Sequence, residues 1–459
     1  MDGRRNIILI VADAVRRRNL GLYGYDKPTS PNLDSLGKVG VVFDNAYSVT
    51  NATDPSLTSI FSGRYPMSHG IVNHGERIRD EEVLLVSKVP YLSSILHGYG
   101  YSTIAIDMLG RWHKKGFDIY TDSTYIQRLG RRLKGYINFV SRRFFGKSLF
   151  RVWPYNARDA VNLAIHLIKE YSRRGGFFLF IHFWDTHLPY NYSRAYYEKH
   201  VDSYDFSHVT LGEAIKDVCG VWSSRLTNYL DTKLKIGEIL AMYDASIANI
   251  DAEVGRLVGF LEDTGLVDDT YIFFTSDHGE SLTEHNIFFD HHGLYEVSLQ
   301  VPLIVMGPDI PRGRVIDDFV QHVDILPTIL SLAGVDVDVY HEGANLLDLI
   351  YGEEGSGYGH TVVYAEESYT ERKFMIRDGR YKYIFSPDTS SAECRYCGYI
   401  HGGLEELYDL NADPGEERNI VDDYPDIARD LRRQLDGLLR RYRFVNRLLL
   451  LKSRLKRRG

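Results

Sequence analysis

The stretch TYIFFTSDHGE, residues 270–280, is apolar and β-branched up to Thr275 and then gives way to Asp277, His278 and Glu280. A short run apolar on both faces reads as a strand of a parallel sheet, and ionisable residues past its carboxyl end mark where such sheets place a site. Two further runs repeat the pattern: Ile7 to Ala12 leads into Asp13, and Phe177 to Phe183 contains His182 and leads into Asp185 and His187. Val301 to Met306 is a fourth run of the same kind. Between them lie helical patterns at 157–173 and 237–262, the second with Ile247, Ile250, Val254, Leu257 and Leu261 recurring at three and four residues. Strands alternating with helices predict an α/β domain with a central, mostly parallel sheet flanked by helices.

Beyond about residue 365 the pattern changes. KFMIRDGRYKYIF, residues 373–385, is two β-like runs around Asp378-Gly379, a hairpin signal, and 424–459 reads as a helix ending in a basic tail. The expected division is a catalytic α/β domain over 1–365 and a small C-terminal antiparallel-sheet subdomain over 366–459. Residues 191–236 read as an insertion.

A chain of 459 residues with 44% hydrophobic side chains can bury a full core, which excludes disordered, collagen-like and disulfide-stapled classes. The formal charge of -8 argues against a field that attracts nucleic acid. Two segments run against that balance: 128–151 holds eight basic side chains and no acidic one, and 431–459 holds eleven against one. Such segments suit peripheral contact with anionic lipid, or packing and oligomer contact. No stretch reaches the roughly 18 apolar residues of a membrane span, and the opening MDGRRNIILIVAD lacks a secretory cleavage pattern. The expected location is therefore cytoplasmic, with the inner membrane surface as the alternative. Cys394 and Cys397, with His401 four residues on, read as a reduced pair or a zinc knuckle short of a fourth ligand, since Cys219 is remote in sequence.

Asp13 and Asp277 at the ends of strands, with His278, suit a divalent cation. In NATDPSLTSIFSGRYP, residues 51–66, Asp54 and Pro55 open a short helix, which puts the Thr53 hydroxyl near free helix amides. Arg111 and His113 in GRWH, with His182 and His187, form the kind of environment that holds an oxyanion. His285, His291 and His292 lie in a loop that could supply a general acid or a ligand to a second metal.

Together these segments resemble the sulfatase branch of the alkaline phosphatase superfamily along nearly the whole chain, and the resemblance implies that fold. It also implies Asp13, Thr53, Asp277 and His278 as metal ligands and Thr53 as the nucleophile. Arg111, His113 and His187 fall at anion-binding positions, and His291, or its neighbour His292, stands where relatives carry a Lys. Three further positions depart from the pattern. Thr53 replaces the Cys or Ser that becomes formylglycine, Leu57 replaces an Arg, and Ala14 replaces a second metal-site Asp.

A threonine cannot become the aldehyde, so no formylglycine is expected. On that ground the expected activity is cleavage of phosphate mono- or diesters, by a phosphatase or phosphodiesterase working through a covalent threonine intermediate. It would use one divalent ion (Mn, Zn, Mg or Ca), with a second metal if the loop histidines contribute. The alternatives are an arylsulfatase-like sulfuric ester hydrolase acting without formylglycine, a phospho-group transferase, and a degenerate ion-binding relative without activity. The expected substrate is a small-molecule or lipid-linked anionic ester.

Overall fold

The computed structural model describes residues 4–122, 156–201, 204, 209–218, 224, 226–352, 359–396 and 398–455, and of 452–455 the backbone alone. The basic stretch 127–151, Cys219 and Cys397 lie outside the described residues. The central sheet has eight strands: β1 (Asn6–Ala12), β2 (Val41–Tyr47), β3 (Ser102–Ile106), β4 (Ile119–Tyr120), β5 (Phe177–Phe183), β6 (Thr270–Thr275), β7 (Leu303–Met306) and β8 (Arg314–Gln321). Their spatial order is β4-β3-β5-β1-β6-β7-β2-β8.

β1 runs parallel to both neighbours, with Val11 opposite His182 on β5 and Thr275 on β6, so the carboxyl ends of the three strands share one edge. Every residue of β1, β5 and β6 is buried, as their uninterrupted apolar runs require. Side chains alternate between two cores. Ile8, Ile10 and Ala12 join the helices Ala157–Tyr171 and Ile236–Asp263 on one face. Ile7, Leu9 and Val11 join Leu57, Ile60 and Phe61 of the helix Thr53–Ser62 on the other. Leu57 is thus a core side chain, and an arginine there would have to bury its charge.

The run 301–306 differs from its parallel reading: β7 lies antiparallel to both β6 and β2. The chain leaves β6 at the site edge, stays there through residues 276–302 and re-enters the sheet directly. A parallel return would need a crossover back to the opposite edge.

A second, four-stranded antiparallel sheet has the order β12-β11-β10-β9, formed by β9 (Val363–Glu367), β10 (Lys373–Arg377), β11 (Tyr381–Phe385) and β12 (Glu405–Asp409). Asp378-Gly379 makes the β10–β11 hairpin, with Arg377 opposite Lys382. This sheet begins at Val363, so a division at 365/366 falls inside its first strand. The helix Pro425–Leu455 covers it with Leu431, Leu435, Leu439 and Tyr442 at helical spacing, packed on Phe374, Ile376, Tyr383 and Leu407. No helix among the described residues is long and apolar enough to cross a membrane. The architecture is the α/β fold of the alkaline phosphatase and sulfatase superfamily, a large mixed sheet between helices with a smaller antiparallel sheet.

Candidate active site

Asp13 follows β1, Asp277 and His278 follow β6, and His182 is the penultimate residue of β5, so the sheet register alone brings them together. Asp13, His182 and Asp277 place ligand atoms within 4.8 Å of one another. His278 Nε2 lies 3.4 Å from Asp277 Oδ2 and 3.9 Å from Asp13 Oδ1. Thr53 Oγ1, in the first turn of its helix, is 3.4 Å from the same nitrogen. Ser56 Oγ fixes that helix by donating to the Asp277 carbonyl at 2.7 Å.

The donor set fits a divalent cation. Both oxygens of Asp13, Asp277 Oδ2 and His182 Nε2 are buried with no hydrogen-bond partner among the described residues. Unpaired buried acceptors on this scale are costly, and a cation satisfies them together. Burial, followed by the charges of Asp277, Glu280 and Asp107, pushes the Asp13 carboxyl well above its usual range. Burial opposes ionisation of Asp277 as well, but His278, His182 and the Ala14 amide hold it below the ordinary value. His182 Nδ1 pairs with Asp107 Oδ1 at 2.9 Å, which leaves Nε2 as the outward nitrogen. A carboxylate behind a ligating imidazole fixes its orientation and raises its basicity.

The sequence pattern groups His182 with the oxyanion holders and does not point to Asp107. The signal was nevertheless present, because Asp107 follows a buried strand as directly as Asp13 does. Ala14 adopts φ 59°, a left-handed conformation that suits Asp or Asn better than alanine. Its amide donates to Asp277 Oδ1 at 3.1 Å and its carbonyl accepts from Tyr243 Oη at 2.7 Å, so position 14 contributes backbone alone.

Arg111 and His113 do not stand open to a substrate oxyanion in this structure. Both bind Asp54: Arg111 Nη2 lies 2.9 and 2.8 Å from its two oxygens, and His113 Nε2 lies 3.0 Å from Oδ1. His74 Nδ1, at 2.9 Å, and the Gly75 amide, at 2.9 Å, complete the ring around Oδ2. Burial opposes the charge on Asp54, but hydrogen bonds from His113 and His74, with their charges, hold its carboxyl well below the usual range. The reason is local. Asp54 follows Thr53 at the start of the helix, so its carboxylate reaches the cations assigned to the anion.

His291 leans over His278 with ring centres 4.2 Å apart and planes tilted by 38°, and its Nδ1 is 3.4 Å from Glu280 Oε2. His187 lies one ring further out, 6.1 Å from His291, with Nδ1 2.7 Å from the Leu188 carbonyl. Burial, then the charge of His291, brings His187 down to about 3, and burial brings His278 down to about 4. Both are neutral at pH 7. His292 turns away from this cluster: its Nδ1 is 3.2 Å from Asp290 and its ring meets Tyr396 and His401 of the small subdomain. His285 stacks on Tyr295 at 3.6 Å and is likewise outside the cluster.

Arg16 and Glu284 join the loops after β1 and β6 through a contact of 2.7 Å. Burial opposes the charge on Glu284, but Arg16 and backbone amides lower its carboxyl from 4.5 to about 2. A depressed carboxyl contributes stability that is complete above pH 4.5 and is lost as pH falls toward about 2. In Glu284→Gln the acid limb of melting temperature against pH should flatten over that window. An unchanged limb would show that the pair does not hold the two loops.

Two acids, two imidazoles and a hydroxyl, gathered at the carboxyl edge of a sheet covered on both faces, make this chain a metal-binding hydrolase. Residues 5–335 match the model of the sulfatase family, and residues 283–441 match that of the N-sulphoglucosamine sulphohydrolase C-terminal region. The chain belongs to the sulfatase family, within the alkaline phosphatase superfamily.

An arylsulfatase of Clostridium perfringens is 25% identical over 97% of this chain and 97% of its own length. An N-acetylglucosamine-6-O-sulfatase of Bacteroides thetaiotaomicron is 25% identical over 96% of this chain and 87% of its own length. The crystal structure of a phosphonate monoester hydrolase of Agrobacterium radiobacter superposes with a TM-score of 0.71 at 22% identity, covering 96% of each chain, which speaks for the fold. These findings correct the preference for a phosphatase or phosphodiesterase drawn from Thr53. The sequence relatives that span the chain are sulfatases, so sulfatase-type chemistry is favoured.

Proposed function

We propose that the protein is a metal-dependent sulfuric ester hydrolase that works without formylglycine, on a small anionic ester. One observation carries the reading: in a chain matched along its length by sulfatases, Thr53 Oγ1 lies within 3.4 Å of His278, beside the orphaned acceptors of Asp13, Asp277 and His182. When bound by Asp13, Asp277 and His182, a divalent cation supplies positive charge that favours an alkoxide and offsets the sulfuryl oxygens.

The chain's own groups do the rest. Neutral His278 accepts the Thr53 proton at Nε2 as Oγ1 attacks sulfur, and the bond from sulfur to the ester oxygen breaks. His291, flanked by Glu280 and Asp290, donates the proton that the leaving oxygen takes up. Water then attacks the same sulfur and gives a proton to His291, the bond from sulfur to Oγ1 breaks, hydrogen sulfate leaves, and His278 returns its proton to Thr53 Oγ1. Burial of Thr53, Asp13 and His278 excludes bulk solvent from the reacting atoms. Purified protein supplied in turn with Mn, Zn, Mg or Ca should release p-nitrophenol from p-nitrophenyl sulfate. Failure with all four ions would sink the reading.

A further inference from the structure

A second group of ligating side chains lies in the small subdomain. Glu371, Cys394 and His401 bring a carboxylate oxygen, a thiol sulfur and an imidazole nitrogen within 4.8 Å of one another. Glu371 comes from the connection between β9 and β10, and Cys394 from the segment after the turn of helix Thr389–Ala392. A closed loop holds the thiol in place: the Cys394 amide donates to the Tyr399 carbonyl at 2.8 Å, and the Gly398 amide donates to the Cys394 carbonyl at 2.7 Å. Glu371 and Cys394 are each 1% exposed. His401 is partly exposed and borders a cavity of about 480 Å³, which gives an ion a way in.

Three observations point to a cation. Glu371 Oε1 is buried without a hydrogen-bond partner among the described residues. The buried carboxylates Glu371 and Glu406 share one ammonium, Lys373 Nζ, which lies 3.0 Å from each. A surplus of buried negative charge is costly unless it is matched. The donor types are also chosen: calcium or magnesium takes oxygen, whereas a thiol beside an imidazole and a carboxylate selects zinc.

We propose that Glu371, Cys394 and His401 bind Zn²⁺ at a site separate from the Asp13–Asp277 cluster, with its fourth position facing the cavity. The ion fastens the 394–401 loop to the β9–β10 connection. It also reaches the catalytic loop, since the His292 ring lies 6.1 Å from that of His401 and His292 directly follows His291, whose ring centre is 4.2 Å from that of His278. The inference does not depend on the sulfatase reading, because its test measures no turnover.

The test titrates the full chain, stripped of metal by chelation, with Co²⁺. Thiolate ligation gives a sulfur-to-cobalt charge-transfer band in the near ultraviolet, which the oxygen and nitrogen ligands of the Asp13 site cannot produce. One equivalent should raise the band in the wild type and in Asp13→Asn, and Zn²⁺ should remove it by displacing the cobalt. Cys394→Ser should abolish it, and His401→Ala should weaken cobalt affinity by roughly tenfold or more. A band absent from the wild type, or persisting in Cys394→Ser, overturns the proposal. If Cys394→Ser does not fold, unchanged cobalt affinity in His401→Ala, whose side chain is partly exposed, overturns it equally.

Discussion

Thr53→Ala should lower turnover of p-nitrophenyl sulfate by roughly 10³-fold or more while the protein stays folded and keeps its metal. The hydroxyl lies 3.4 Å from His278 Nε2 in the first turn of the helix Thr53–Ser62, whereas Ser56 Oγ is taken up by the Asp277 carbonyl, and Thr53 is 2% exposed. Removing one oxygen from the first turn leaves the helix held by Ser56 and by the apolar packing of Leu57, Ile60 and Phe61. Activity and stability should therefore separate. Steady-state rates beside a melting curve would show it. A Thr53→Ala protein within tenfold of wild type would remove Thr53 from the reaction and leave an attacking water in its place. Thr53→Ser should retain most of the rate, because it preserves the oxygen and its position.

Asp13→Asn should have the second large effect, with opposite signs in the two metal states. Without metal, the buried Asp13 carboxyl faces Asp277 and Glu280, and both its oxygens lack a hydrogen-bond partner among the described residues, so keeping it there costs stability at pH values above the ordinary carboxylate range. Its raised carboxyl means that this cost starts to shrink as pH falls through the folded value and is gone below the ordinary value of 3.8. The asparagine variant should accordingly melt higher than wild type when metal-free. With metal the order should invert: a ligand at a hundred times its Kd stabilises by about 2.7 kcal/mol, and the variant loses that increment along with a carboxylate ligand. Calorimetry with and without Mn or Zn measures both arms. Equal metal-induced shifts in the two proteins would dismiss Asp13 as a ligand.

Much of this site could be read from strand ends. An apolar run that stops at an acid gave Asp13 and Asp277 an edge in common, and the pairing of β1 with β6 supplies that edge. The hairpin around Asp378-Gly379 and the helix over 237–262 were equally visible, because turn chemistry and helical spacing are local properties. Contacts between remote segments were harder to read. His182 looked like one more oxyanion holder, since sequence does not say that β5 is the strand beside β1. His291 and His292 looked interchangeable, yet adjacent residues of an extended loop face opposite ways, one toward His278 and the other toward His401. The choice of sulfur over phosphorus was least legible. A threonine argues about a mechanism and says little about the ester, and relatives along the full chain favour sulfur.

The carboxylate of Asp54 changes how an anion meets this site. Arg111, His113 and His74 are already engaged by a negative group that belongs to the chain. On the proposed reading, a substrate drawn to these groups would have to exchange partners with Asp54 or share them, and so would the sulfate it leaves behind. The pocket thus carries its own competing anion at a fixed and very high local concentration. On the proposed reading, free sulfate offers no leaving group to anchor elsewhere and competes more weakly with Asp54 than the ester does, so the residue after the proposed nucleophile would favour product escape.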